Sequence, residues 1–351
     1  MTQTYKKEKK PTYGNKAMRI MVIGTLIMFL ATLGTVVLFS YVMNKLNYIE
    51  EDEFKDYKGH YVFIADKDEQ DFWEEVYTAA CNQAEEDDIY IEYLEKNLGV
   101  NYTNSDLFRV AINSSVDGII YGGTPDDVII GQIDEAVENG IGVVLLQNDA
   151  DTSGRQCFVG VNNYELGQVY ASQIAAIFKP EEFEQKKVNI IVNSKVPEGV
   201  GNLFLIAMED YFADKYSAYE MPDISLVRVD NQDVFSVEED IRNLLMQDTL
   251  PDAMICLNSA YTQCVYQVLV DLNKVGETQL VGYFVNDNIL EAINKQIIYS
   301  TITIDTDQMG KSAVQALEEY CNVGYTNSYV PVNISVIGKK EAGSLINEKT
   351  E

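Results

Sequence analysis

Short apolar runs at residues 61–65, 89–93, 118–121, 143–146, 157–161, 188–192, 226–229, 253–257, 280–284 and 301–304 alternate with longer stretches of helical period. Phe72, Val76, Ala80 and Ala84 recur four apart, as do Met309, Ala313 and Leu317, which predicts amphipathic helices between the runs. The runs lack polar alternation, so both faces of each strand must be covered. A parallel sheet with crossover helices meets that requirement, because each crossover lays a helix on one face. Local punctuation agrees: Thr124 suits a helix N-cap with Pro125 at the first helical position, and Asn139-Gly140 supplies a stop.

A different grammar precedes this. Residues 20–44 carry no charge, and at 1.5 Å per residue a helix of that length spans roughly 37 Å, more than the hydrocarbon core of about 30 Å. A cleavable signal has an apolar region of about 7 to 15 residues that ends in small residues. Here the run ends Phe39-Ser40-Tyr41-Val42-Met43, so an uncleaved single-span anchor is expected, with late cleavage as the alternative. Lys6, Lys7, Lys9, Lys10, Lys16 and Arg19 precede it against Glu8 alone, which places the N-terminus in the cytoplasm and the bulk of the chain outside. Glu50, Glu51, Asp52 and Glu53 then read as a charged spacer.

The basic tail sits in a chain whose formal net charge is -29, so the remainder is strongly acidic and repels phosphate backbones. Nucleic acid is therefore not an expected partner. Cys81, Cys157, Cys256, Cys264 and Cys321 are odd in number, dispersed and free of any CxxC pair, which argues for small buried apolar groups over a disulfide framework or zinc site. The only histidine is His60, which leaves Ser-His, Cys-His and His-metal chemistry without a basis. No enzyme activity, cofactor or metal is expected. Asp271-Leu272-Asn273 opens like a calcium loop, but Val275 and Gly282 occupy positions where ligands belong. Gly122-Gly123 lacks the spacing of a phosphate cradle and reads as a strand-to-helix turn.

What does accumulate lies at the ends of the apolar runs. The first stops at Asp66, and its helix opens with Phe72-Trp73; the fourth leads to Gln147, Asn148 and Asp149, with Arg155 beyond the loop. Later runs end at Asn258-Ser259 and Asn286-Asp287. In open α/β sheets ligands bind outside the carboxyl ends of the strands. Aromatic faces with amide, carboxylate and guanidinium groups suit a polyhydroxylated ring, which stacks through C–H and bonds through hydroxyls. The expected ligand-binding set is Asp66, Phe72, Trp73, Asn148, Asp149, Arg155, Asn258 and Asn286. Aspartate and asparagine at strand ends also serve simply as helix caps.

The segments VFIADKDEQDFWEEVYTAA, FVGVNNYELG and VGYFVNDNILEAINKQIIYSTITIDTDQMGKSAVQAL resemble the type 1 periplasmic solute-binding proteins, the ribose-binding-protein group whose fold also forms the effector domain of lactose-repressor-type regulators. The resemblance spans residues 59–340 and implies two α/β lobes joined by three crossings that close on a ligand. It implies hinges at Val161, Asn162 and Asn163, at Ile304 and Asp305, and near 329–332. The implied organisation is a cytoplasmic tail at 1–19, a transmembrane helix at 20–44, an acidic spacer at 45–58, lobe one at 59–161 and 305–329, lobe two at 162–304 and 330–340, and a polar tail at 341–351. Where relatives often place an arginine in the second lobe, this chain reads Gly201-Asn202-Leu203-Phe204, so that lobe offers fewer charged contacts. The implied function is a tethered extracytoplasmic binder of a sugar or sugar-like ligand, serving an ABC permease or a sensor histidine kinase. A receptor for a non-sugar small signal in the same cleft is the alternative. DNA regulation is disfavoured, because a membrane span replaces the helix-turn-helix.

Overall fold

The computed structural model describes residues 14–47, 57–98, 102–194, 198–229, 234–247 and 249–348. The chain divides into two compact units, residues 1–56 and 57–351. Within the first, α1 (Asn15–Asn47) contains the 22-residue stretch Met18–Phe39, long and apolar enough to cross a membrane. Most of the basic tail, at 1–13, and of the acidic spacer, at 48–56, lie outside the described residues.

In the second unit the strands divide between two sheets. The first holds β1 (Gly59–Ala65), β2 (Ile89–Tyr93), β3 (Gly118–Gly122), β4 (Gly142–Leu146), β5 (Cys157–Gly160) and β11 (Tyr329–Pro331), in the order β11-β5-β4-β3-β1-β2. The second holds β6 (Lys187–Asn193), β7 (Asp223–Val229), β8 (Ala253–Cys256), β9 (Gln279–Tyr283), β10 (Ser300–Ile304) and β12 (Ile334–Ile337), in the order β12-β10-β9-β8-β6-β7. Every pairing is parallel except β10 with β12. Each apolar run identified in the sequence lies within one of the first ten strands or overruns its end by one residue. The short β11 and β12, with three and four residues, carry too little apolar pattern to be read in advance.

The absence of polar alternation has the expected cause. In β1, Tyr61, Phe63 and Ala65 face one core while Val62 and Ile64 face another; in β4, Val144 and Leu146 oppose Val143 and Leu145 in the same way. In β8, Ala253 and Ile255 oppose Met254 and Cys256. The covering helices of the first sheet are α2 (Gln70–Glu86), α3 (Leu94–Leu98), α4 (Asn104–Asn113) and α5 (Asp127–Glu138). Around the second sheet run α6 (Asn163–Ile177), α7 (Glu198–Lys215), α8 (Val234–Leu245), α9 (Ser259–Asp271) and α10 (Asp287–Asn294). The chain then returns with α11 (Thr306–Val323), which packs against α2, and ends in α12 (Lys339–Glu348). That last helix occupies part of the stretch read as a polar tail. Its Ala342 is fully buried in the second sheet's outer core, with Leu345 and Ile346 packed beside it.

The chain passes between the sheets after β5, after β10 and between β11 and β12. The three crossings lie side by side: Val332 N donates to Gly160 O at 3.0 Å, and Asp305 N donates to Asn333 O at 3.0 Å. Val330 and Pro331 pair with β5, so the third crossing lies at Val332 and Asn333. All five cysteines are free thiols. Cys157 and Cys256 are buried, and burial pushes the Cys157 thiol up to about 11; Cys81 and Cys264 are half-buried, whereas Cys321 is exposed.

Candidate functional site

Strand order decides where the site lies. In the first sheet the winding reverses between β1 and β3, and in the second between β6 and β8. Adjacent crossover helices diverge at such a point and leave a crevice beyond the carboxyl ends of the strands. The two crevices face each other across a cavity of about 120 Å³. The β1 and β3 ends contribute Asp66, Gly123 and Thr124; the β6 and β8 ends contribute Val192, Asn193, Leu257 and Asn258.

The first-sheet side is polar. Asp66 accepts from Asn104 Nδ2 at 2.5 Å and from Thr124 N at 3.1 Å, which fixes its carboxylate at the cavity wall. Thr124 thus serves the aspartate, and the N-cap of α5 is instead Asp126, which accepts from Ile129 N at 2.9 Å. Trp73 is wholly buried and lines the cavity. Its ring lies against the β3 backbone so closely that a Cβ at Gly122 would meet it at 2.5 Å, and one at Gly123 would meet Asp66 Oδ1 at 2.7 Å. The glycine pair is therefore the seat for the tryptophan and the aspartate. Gln147, held at φ 62° just past β4, and Asn148 complete this side.

Three hydrogen bonds between described residues join the lobes around the cavity. Ser259 N, at the start of α9, donates to Glu69 Oε1 at 3.2 Å. Gln147 Nε2 donates to Tyr283 Oη at 3.1 Å, and Asn286 Nδ2 donates to Asp71 Oδ2 at 3.3 Å. Glu69 is 8% exposed, and the amide end of α9 suits its negative charge. Burial, then the nearby Glu69 and Tyr170, push the Tyr283 phenol well above its ordinary range, so it remains a neutral hydroxyl. Trp73 Nε1 and Gln147 Oε1, buried atoms of cavity residues, have no protein partner among the described residues.

The structure brings Asp66, Trp73, Asn148 and Asn258 of the sequence-derived set to the cavity wall. Phe72 lies outside that wall, packed in the core against Trp73, Tyr283 and Phe284. Asp149 and Arg155 are also outside it and bind each other: Nη2 donates to Asp149 Oδ2 at 2.7 Å, Nε also reaches Asp149, and Nη1 donates to Ser328 O at 2.8 Å. That guanidinium ties the loop after β4 to the start of β11. Asn286 caps α10 through Ile289 N at 3.0 Å and touches the first lobe at Asp71. Asn258 is likewise a cap, accepting from Tyr261 N at 2.7 Å. Of the crossing residues, Val161, Asn163 and Ile304 line the cavity, while Asn162 and Asp305 cap α6 and α11.

Glu69, Gln147, Asn193 and Tyr283 are cavity residues that the sequence reading did not place there. Asn193 ends β6 and carried the same strand-end signal as Asn258. Glu69 lies in a single 3-10 turn, and no periodicity marks which of its acidic neighbours turns inward. Asp271, at the start of the calcium-like stretch, accepts from Gln267 and pairs with Arg242.

A family profile described as periplasmic binding protein domain matches residues 61–325. A search of curated proteins finds no match. Among solved structures, GanP, a glucose-galactose binding protein from Geobacillus stearothermophilus, is similar with 21% identity and a TM-score of 0.66, over 81% of this chain and 98% of its own. AraP, an arabinose binding protein from the same organism, shows 19% identity and a TM-score of 0.63, over 82% and 98%. The XylFII-LytSN complex gives 20% identity and a TM-score of 0.63, over 81% and 99%. These likenesses establish a shared fold.

Proposed function

We propose that this chain, which belongs to the periplasmic binding protein domain family, is a membrane-tethered extracytoplasmic receptor that closes its two lobes on a monosaccharide or similar small ligand. The observation that carries the reading is the cavity between the two facing switch points, with Asp66 and Asn148 on one side and Asn258 on the other. Carboxylate and amide groups bond sugar hydroxyls in pairs, and Trp73 adds an apolar face and an N–H. The binding functions of GanP and AraP, which share the fold, also support it.

Hydrogen bonds worth about 0.5 to 1.5 kcal/mol each, made to both lobes at once, shift an open-closed equilibrium by the few kcal/mol that a switch needs. Val161 to Asn163, Ile304 to Asp305 and Val332 to Asn333 form the hinge. The α1 helix holds the receptor at the membrane with its basic tail in the cytoplasm. The closed form then delivers solute to an ABC permease or engages a sensor histidine kinase. The XylFII-LytSN complex, in which a chain of this fold is held by a partner, supports the second output.

Thermal melting of the full chain in detergent against neutral monosaccharides, sugar acids and non-sugar signals tests the reading. A saturable rise in Tm with at least one neutral monosaccharide is expected. A rise with non-sugar compounds alone, or turnover of a bound compound, would contradict it. Photocrosslinking in cells with the ligand present separates the outputs by whether a permease or a kinase is captured.

A further inference from the structure

Among the described residues, six other than glycine take a positive φ. Asp88, Ser115, Asn273 and Gln296 each lie one residue past a helix C-cap, where the left-handed conformation commonly ends a helix. The other two follow strands. Gln147, at φ 62°, comes directly after β4, and Phe284, at φ 68°, directly after β9, the fourth strand of each lobe in chain order. Each turns its amide to the strand that comes next in the chain: Gln147 N donates to Val159 O at 3.3 Å, and Phe284 N donates to Ile302 O at 2.7 Å. Thr301 Oγ1 also donates to Phe284 O at 2.8 Å.

A phenylalanine in this conformation is unfavourable and persists where its surroundings hold it. The turn aims each side chain at the opposite lobe. Gln147 Nε2 reaches Tyr283 Oη at 3.1 Å, and the Phe284 ring meets Phe72 of α2 with centroids 5.4 Å apart and planes at 83°. Tyr283 lies 6.0 Å from the same Phe72 ring. The two arms therefore meet at neighbouring residues. Phe72 and Phe284 are 0% and 1% exposed, so parting the lobes would open both rings to water. On either side of Phe72, Glu69 and Asp71 carry the hydrogen bonds to Ser259 and Asn286. Phe72 also packs edge-on against Trp73 at 4.8 Å, which links the arms to the cavity wall.

We infer that Gln147, Tyr283, Phe284 and Phe72 form a reciprocal clasp that holds the lobes together before any ligand arrives. Ligand enters when the clasp opens. Because an equilibrium already biased toward the closed form leaves less for the ligand to do, the strength of the clasp sets the apparent affinity of the receptor. Phe72 and Phe284 thus act as positioning residues for closure. The inference rests on the reading of a two-lobed closing receptor and not on the chemistry of its ligand.

Two readouts on the full chain without ligand test it: acrylamide quenching of Trp73, the only tryptophan, and hydrogen exchange of the peptide that opens α9, where Ser259 N crosses to Glu69. Native Trp73 is expected to be shielded. Phe284→Gly removes the ring and gives the turn a residue that tolerates positive φ. Quenching should then rise about threefold or more as the open population grows, and exchange should quicken with it. Tyr283→Phe keeps its ring and removes only the acceptor for Gln147, so a smaller rise of about twofold is expected. That variant carries the test should Phe284→Gly lose its circular-dichroism signal. Native Trp73 quenched as freely as exposed indole, or both readouts unchanged in the folded variants, would overturn the clasp. A rise in only one readout would overturn it too, since a hole beside the ring would admit acrylamide without parting the lobes. No sugar enters this experiment, so these results leave the receptor reading standing, and the melting screen judges that reading separately.

Discussion

The strand ends of the two sheets were built by the same rule and serve the cleft differently. Asp66, at the end of β1, is tied by Asn104 and Thr124 into a fixed carboxylate that faces the cavity. Asn258, at the equivalent switch point of the second sheet, caps α9 and turns its oxygen away from any ligand. The first-lobe lining adds Glu69, Gln147 and Asn148 to Asp66; the second-lobe lining combines Asn258 with Asn193, Tyr261, Leu257, Phe204 and Leu226. The same topology thus supplies a wall with two carboxylates and, among the described residues, a wall without charged side chains, and a ligand between them is oriented by the contrast.

Removing the polar wall should have the largest effect. Asp66→Ala deletes charge-assisted bonds worth about 1.5 to 3 kcal/mol each, so affinity for the best sugar should fall roughly tenfold to a hundredfold or more by calorimetric titration. A loss under threefold would mean that the first sheet does not hold the ligand. Next comes Gly122→Ala, whose added methyl would overlap the Trp73 ring at 2.5 Å. Overpacking of that kind costs about 1 to 3 kcal/mol. A lower Tm with red-shifted emission is expected, and an unchanged Tm would show that the tryptophan is not seated on β3.

Glu69→Gln probes the contact between the walls. It keeps an oxygen for Ser259 N but removes the charge, so the closed form should weaken by about 1 kcal/mol. Small-angle scattering of the ligand-free chain should then give a larger radius of gyration. An unchanged radius would show that closure does not depend on this carboxylate. Asn258→Ala should have the smallest effect on binding: loss of the cap costs about 1 kcal/mol of stability, read as a lower Tm, and loss of one neutral amide bond worth about 0.5 to 1.5 kcal/mol lowers affinity less than Asp66→Ala does. An affinity loss as large as that of Asp66→Ala would erase the difference between the walls.

The sheets were legible because burial on both faces leaves a continuous apolar run, as in Val143 to Leu146, which packs alternately into two cores. Strand-end logic reached Asp66, Asn148 and Asn258 for the same reason, since chain order alone sets where strands stop. It could not tell a cap from a ligand group, because Asn258 and Asn286 carry identical signals. Nor could it separate Phe72 from Trp73: adjacent residues on a helix point about 100° apart, and only the glycine pair on β3 shows which ring reaches the cavity. Arg155 and Asp149 looked like ligand groups because the irregular loop between them has no period that shows they bind each other. The second-lobe wall was legible in part: Gly201 to Phe204, without the arginine of relatives, pointed to fewer charged contacts there, whereas Leu226 read as ordinary core.

Trp73 offers the most direct test, because it is the only tryptophan and lies wholly buried in the cavity wall. Titration of the full chain with the sugar that most raises Tm should move its emission saturably, with the same midpoint as calorimetric binding. A sugar that raises Tm and binds by calorimetry while leaving that emission unchanged would contradict the placement of the ligand between the two walls.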